Sequence, residues 1–272
     1  TVENRDQFLQ AVRNSGSIGL GGAGFPTSLK LGFDPKEKQP DFLIINGAEC
    51  EPYITSDYRC FMEEGEDVLE GVLLMLKYLG IPKCIIGIEK NKPKAIEKMT
   101  RLCEKHDNIT VKPLKSSYPQ GAEKTLIFST TGRVVKEGTL PLASGCIVVN
   151  SSTAAFIAQY IRTGMPLVKR RITVDGNIVK KPSNFIVPVG MSIGEIVYHA
   201  ELSDKHDRII LGGPMMGACA FDPDYPLSKT NNAVLMFADS PVYEPSECIR
   251  CGKCVTVCPH NALKLDVSLK GK

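Results

Sequence analysis

Four of the ten cysteines lie within eleven residues, Cys248-Ile-Arg-Cys251-Gly-Lys-Cys254-Val-Thr-Val-Cys258, and Pro259 follows them. Thiolates are soft ligands that select zinc, copper(I) or iron–sulfur clusters. Zinc knuckles pair two Cys-x2–4-Cys arms across a longer gap. Three cysteines at three-residue steps, closed by Cys-x3-Cys-Pro, follow the bacterial ferredoxin spacing, in which successive thiolates wrap one face of a 4Fe–4S cube. Gly252 can supply the positive φ or the close approach that such a loop needs. In two-cluster ferredoxins the last cysteine of the run serves the other cluster. Only fourteen residues follow Cys258, and none is cysteine. The expectation is an incomplete cluster site on a piece of a longer protein whose second run lies elsewhere. The first residue, Thr1, points the same way. The other six cysteines (Cys50, Cys60, Cys84, Cys103, Cys146 and Cys219) stand alone. A lone cysteine is expected to be a small buried hydrophobe.

A second chemical signal is the glycine-rich stretch Gly19-Leu-Gly21-Gly22-Ala-Gly24-Phe25-Pro26-Thr27. It matches G-x-G-x-x-G, but the segment before it carries Val2, Phe8, Leu9 and Val12 at helical spacing rather than a strand. That context argues against a dinucleotide turn of the usual kind. Two readings stay open, a structural turn and a loop that brings backbone N–H groups to a phosphate or a flat ring. Pro26 suits the start of a helix that would carry Lys30. Next, Asp41-Phe-Leu-Ile-Ile-Asn46 reads as a buried strand, and it ends in Gly47-Ala48-Glu49-Cys50-Glu51-Pro52-Tyr53. Polar groups at a strand's C-terminal end are where open α/β sheets place ligands, although a solvated loop is the plainer alternative.

Positioning these loops requires an ordered scaffold. The chain has 272 residues, 43% apolar and 23% charged, enough for a substantial core. A net charge of +3 does not argue for nucleic acid. No apolar run reaches membrane-spanning length, and nothing resembles a signal peptide. The first 165 residues alternate helix and strand: helices over 63–79, 92–105, from about 122 and over 153–161, with strands over 84–88, 109–112 and 146–149. After Gly164-Met-Pro166 the character changes. Residues 170–180 read as a hairpin turning on Asp175-Gly176. A strand over 185–189 follows, then a helix capped by Ser192 with Glu195 three residues on, then strands over 209–211 and 233–237. This order suggests a β-grasp. Gly212-Gly213-Pro214-Met-Met-Gly217 reads as a hinge, a wall facing a ligand or a packed β-loop. His106, His199, His206 and His260 form no constellation and read as surface or packing residues.

Taken together, residues 19–27, Asn46-Gly-Ala-Glu-Cys-Glu-Pro-Tyr53, residues 212–217 and the cysteine run resemble the C-type subunit of the Rnf complex, in the right order over essentially the whole chain. That family oxidises NADH in the ion-translocating ferredoxin:NAD+ oxidoreductase and is a cousin of the FMN-bearing subunit of respiratory complex I. The resemblance implies a Rossmann-like FMN-binding domain over 1–165, a β-grasp (SLBB-like) domain over 166–240 and a partial ferredoxin-type arm over 241–272. It implies FMN, NAD(H) and a 4Fe–4S cluster, with the flavin converting hydride pairs into single electrons. By motif, Gly21, Gly22, Gly24 and Lys30 would contact the flavin or its phosphate, and Phe25 would lie near the nicotinamide. Asn46, Glu49 and Glu51 fall on a second loop, Tyr118, Gly121 and Glu123 on a third, and Asn150 near the phosphate. Ala48 and Ala122 stand where the complex I cousin has acids, so one polar contact is expected to be missing in each loop. Implied partners are other subunits of a membrane-bound complex and a ferredoxin or other iron–sulfur or flavin carrier. The implied place is the inner face of the cell membrane. The related soluble protein that feeds D-proline reductase fits the same motifs. A non-catalytic docking and relay module is the remaining alternative.

Overall fold

The computed structural model describes residues 2–205, 208–238, 247–258 and 261–264. Two units separate, Thr1–Ala238 and Asp239–Lys272. Pro259, His206, His260 and the expected start of the arm at 241 lie outside the described residues.

The first unit begins with α1 (Arg5–Asn14), whose Phe8 and Val12 are buried as their spacing predicts and whose first turn is capped by Asn4. The glycine stretch leads into the short α2 (Thr27–Leu31). A parallel sheet follows, built from β1 (Phe42–Gly47), β2 (Lys83–Glu89), β3 (Ile109–Leu114) and β4 (Cys146–Asn150). Its order is β3-β2-β1-β4. α3 (Ser56–Leu79), α4 (Pro93–Cys103) and α6 (Ser151–Thr163) share one apolar core with α1, and α5 (Glu123–Thr131) closes a second core with Ile44, Leu114 and Val148. The strands are therefore covered on both sides, and their near-continuous Ile/Val/Leu runs follow from that. Where α3 crosses α6, Gly71 lies so close to the Ala154 carbonyl that no Cβ would fit.

α3 starts seven residues earlier than the apolar stripe indicates. Its backbone leaves helical geometry at Glu64, beside Gly65, so the stripe marks only the second half. The first turn is held by the Glu49 carboxylate from the preceding loop, a contact that periodicity does not reveal.

The same unit contains a mixed sheet of β5 (Lys169–Asp175), β6 (Ser183–Pro188), β7 (Arg208–Leu211), β8 (Ala218–Ala220) and β9 (Ala233–Phe237), in the order β6-β5-β9-β7-β8. α7 (Ile193–His199) packs Ile193 and Ile196 into its core, and the Glu195 amide donates to the Ser192 hydroxyl as the cap pattern predicts. The tight hairpin over 170–180 is not present, because β5 pairs antiparallel with Ser183–Pro188. Gly176 does take a positive φ of 138°, but it is wedged against the Met236 backbone. Asn177 then exchanges hydrogen bonds with Ala238, which keeps the chain beside β9 for several residues before it returns. Among the lone cysteines, Cys60, Cys84, Cys103 and Cys146 are buried as expected. Cys50 is only partly buried, and Cys219, on the edge strand β8, is exposed.

Candidate functional site

The chain runs outward through β1, β2 and β3, then returns to add β4 on the other side of β1. The crevice between β1 and β4 at their C-terminal ends is thus a topological switch point, where open α/β sheets bind ligands. Asn46 and Asn150 are register partners there.

The glycine turn lies over this point. The Gly24 amide donates to the Gly19 carbonyl at 3.2 Å, and the Gly19 amide donates to the Phe25 carbonyl at 2.9 Å. Gly22 and Gly24 have φ of 110° and 68°, which L side chains rarely adopt. A Cβ on Gly21 would stand 3.1 Å from Asn150 Nδ2, and one on Gly22 would meet nothing. Leu20 is fixed at both ends: its amide donates to Thr153 Oγ1 at 2.9 Å, and its carbonyl accepts from the Arg170 guanidinium at 3.0 Å. Just beyond Leu20 the amides of Gly21, Gly22 and Ala23 donate to no protein acceptor among the described residues, and all three residues are exposed. Three successive amides without a protein acceptor, on exposed residues, suit an anion or ring oxygens. Phe25, 51% exposed, stands beside it.

Asn150 caps α6, accepting from the amides of Ser152 and Thr153, while its Nδ2 donates to Asp57 at 2.8 Å. Ser152 Oγ donates to the other Asp57 oxygen at 2.8 Å. Burial raises the Asp57 pKa, and the bonds from Ser152 and Asn150 and the charge of Arg170 oppose the rise. Asn46 donates to the Gly121 carbonyl at 2.9 Å and accepts from the Ala48 amide, tying the second loop to the third. The Gly121 amide donates to Cys50 Sγ, and Lys30 pairs with Glu123 at 2.8 Å, tying α2 to the start of α5. Tyr118 is 44% exposed.

The two acids of the second loop face elsewhere. Glu49, at a φ of 50°, turns its carboxylate onto the first turn of α3, accepting from the amides of Asp57 at 2.6 Å and Tyr58 at 3.1 Å. Burial, reinforced by the charge of Asp57 and opposed by Lys92, pushes its pKa up to about 8. Lys92 Nζ donates to the carbonyls of Ala48 and Glu49. Glu51 accepts from the Met215 amide at 2.8 Å, and Gly213 has no room for a Cβ against it. The 212–217 stretch is therefore a brace for Glu51. Glu49, Cys50, Glu51, Tyr58 and Lys92 line a cleft of about 530 Å³. Ala48 is fully buried in the α5-side core, so this loop has no acid at that position.

In the second unit Cys248, Cys251 and Cys254 are exposed and Cys258 is partly buried, its Sγ accepting from the Ala262 amide. Arg250 and Gly252 take positive φ, and Cys254 sits on the short α8 (Lys253–Val257). Among the described residues no three His, Cys, Asp or Glu side chains converge closely enough to hold a metal ion. The donor set, four thiols at ferredoxin spacing, nonetheless fits an iron–sulfur cluster.

Asp57, Lys92, Thr153 and Arg170 were not legible as site residues, because each acts through a partner remote in sequence.

The fold and site define a mixed α/β protein with a parallel sheet and a glycine turn over its switch point. The chain belongs to the family of the Nuo51 FMN-binding domain, whose model matches residues 12–159, and a 4Fe–4S binding domain model matches residues 241–264. It is similar to the C-type subunit of the Na+-translocating ferredoxin:NAD+ oxidoreductase complex of Acetobacterium woodii, 40% identical over 97% of this chain and 60% of that protein. The corresponding subunit of the proton-translocating complex of Clostridium ljungdahlii is 39% identical over 98% and 58%. That of the ion-translocating oxidoreductase complex of Rhodobacter capsulatus is 37% identical over 93% and 50%. The chain thus spans about half to three fifths of these relatives. An NAD+-reducing NiFe-hydrogenase in the air-oxidized state shares the fold, with a TM-score of 0.71 at 23% identity over 86% of this chain and 47% of that one.

Proposed function

We propose that the chain holds FMN at the β1/β4 switch point and carries electrons between NADH and iron–sulfur clusters, as one subunit of an ion-translocating ferredoxin:NAD+ oxidoreductase. The observation that carries this reading is the row of free amides at Gly21, Gly22 and Ala23, lying against Asn150 and anchored from both sides at Leu20. When bound, FMN supplies the exchange between a hydride and single electrons, chemistry that side chains lack. The chain's own part is to bind, orient and exclude water. Gly21, Gly22 and Gly24 let the backbone approach the flavin, and Asn46 and Asn150 fix the edges of the crevice. Lys30 and Glu123 close the rim, with Phe25 and Tyr118 offering exposed rings on which a nicotinamide can rest. Gly121 keeps the third loop close to Asn46. Glu49 and Glu51 fix the shape of the second loop. Cys248, Cys251, Cys254 and Cys258 would ligate clusters, Cys258 serving a second one.

In this reading residues 1–165 form the flavin domain, 166–240 a β-grasp domain and 241–272 the start of a ferredoxin-type arm. A ferredoxin or similar carrier as partner and a place in a membrane-bound complex accord with the names of the Acetobacterium and Clostridium relatives, and a peripheral position on the inner face of the membrane is part of this reading. Among the described residues no helix is long and apolar enough to cross a membrane. The test is anaerobic reconstitution with FMN and iron, followed by titration with NADH. Stoichiometric FMN whose visible absorption bleaches on NADH addition is expected. A chain that binds clusters but neither FMN nor NADH would replace this reading with that of a relay module.

A further inference from the structure

Arg170 is 5% exposed on β5, in the second sheet, yet one of its contacts reaches the glycine turn. One guanidinium nitrogen donates to the Leu20 carbonyl at 3.0 Å, another to the Lys229 carbonyl, and Nε to the Arg171 carbonyl at 3.3 Å. Among the described residues no carboxylate is in direct contact with it. Its nearest countercharge, Asp57, is already held by Asn150 and Ser152. Burial lowers the Arg170 pKa to about 10 and Asp57 raises it, so the group stays cationic at neutral pH. A buried cation whose hydrogen bonds all go to carbonyls has its desolvation cost offset only in part, here by the charge of Asp57. The same region backs the glycine turn in two further places: Lys229 Nζ donates to the Gly16 carbonyl at 2.9 Å, and Thr230 packs against Gly24.

Building on the FMN reading, we infer that Arg170 is a positioning residue for the flavin's phosphate end. It holds the Leu20 carbonyl beside three amides that have no protein acceptor among the described residues, and it adds a buried positive charge next to them. The second sheet is thereby part of the anion cradle. Thr153 holds the other end of the same residue from α6, so the turn is gripped between two layers. The expected ligand class is a flavin monophosphate, discriminated from riboflavin by its dianionic end.

The experiment measures dissociation constants for FMN and riboflavin in the wild-type chain, Arg170→Met and Arg170→Lys, with circular dichroism as the folding control. Wild type should favour FMN over riboflavin by about tenfold or more, as expected of charge-assisted contacts. Arg170→Met should lose most of that preference while riboflavin affinity changes much less. Arg170→Lys keeps the charge but cannot hold three carbonyls in one plane, so part of the preference should return. A folded Arg170→Met with the wild-type FMN:riboflavin ratio overturns the inference. If Arg170→Met does not fold, a wild-type ratio in Arg170→Lys with unchanged FMN affinity overturns it. A wild-type chain that binds riboflavin and FMN equally also sinks it, whereas a wild-type chain that binds neither sinks the FMN reading itself.

Discussion

The glycine turn at residues 19–24 and the cysteine run at 248–258 are both short loops bent by residues with positive φ, yet they are finished to different degrees. Around the turn, Leu20, Asn46, Asp57 and Asn150 already have protein partners, and the amides left over, on exposed residues, have no protein acceptor among the described residues. Around the cysteines, three thiols face solvent and no metal-sized group forms among the described residues. The first site is shaped by burial and hydrogen bonds within one fold. Among the described residues of the second none is buried, so little packing holds the four thiols, and in the proposed reading a cluster would supply what orders them.

The sharpest break of this comparison is Cys251→Ser. Removing one of the three thiolates of an incomplete site should lower the iron and sulfide that the reconstituted chain retains severalfold. The dissociation constant for FMN should stay within about twofold, below the energy of one hydrogen bond. Loss of FMN affinity together with the iron would show that the two sites are built as one.

Next in size is a pH effect stored in the prebuilt site. The Glu49 pKa rises from 4.5 to about 8 in the folded chain, chiefly through burial. Between those values the folded chain holds a proton that the unfolded chain has released, so stability falls as pH rises from about 4.5 to about 8. Glu49→Gln removes the titration. Its denaturation midpoint should therefore vary less with pH over that window, with a difference of about 2–4 kcal/mol between the ends. Urea melts at several pH values measure it, and parallel pH profiles for the two chains would refute the role of burial.

Gly24→Ala tests the turn itself. The new methyl would stand 2.6 Å from Thr230 Cγ2 on a backbone with φ of 68°. A loss of about 1–3 kcal/mol is expected from strain and overpacking. FMN binding should weaken in step, because the free amides move. Thermal melts and FMN titrations check both.

How much of this was visible beforehand depends on whether the information is local. Leu43, Ile44 and Ile45 announce a buried strand by themselves, Ser192 and Glu195 announce a helix start, and the glycines announce a turn that needs positive φ. The bonds that finish the site are not local. Arg170 reaches Leu20 across 150 positions and Asn150 reaches Asp57 across 93, and neither pair leaves a pattern in a single sequence. The same applies to α3, whose first turn is capped by Glu49 from the preceding loop, and to the 170–180 stretch, where β9 holds Gly176 and Asn177 away from a tight turn. Type and place mark Glu49 and Glu51 as candidate site residues. Their carboxylates prove to shape the loop, which residue type could not tell.

The smallest effect separates a latch from a ligand. Lys30 and Glu123 pair at 2.8 Å with about a third of each side chain exposed, so the pair itself should contribute no more than about 1 kcal/mol to stability. Lys30→Met and Glu123→Gln should both leave the melting curve nearly unchanged. Their effects on FMN should differ in sign if the phosphate competes for the ammonium. Lys30→Met removes a cation from the rim and should weaken FMN severalfold, most clearly at low salt, where the interaction is least screened. Glu123→Gln releases Lys30 from its partner and removes a negative charge, so FMN should bind more tightly. If both substitutions weaken FMN equally and without salt dependence, the pair is a latch that holds α2 against α5. Lys30 would then shape the site without touching what it holds.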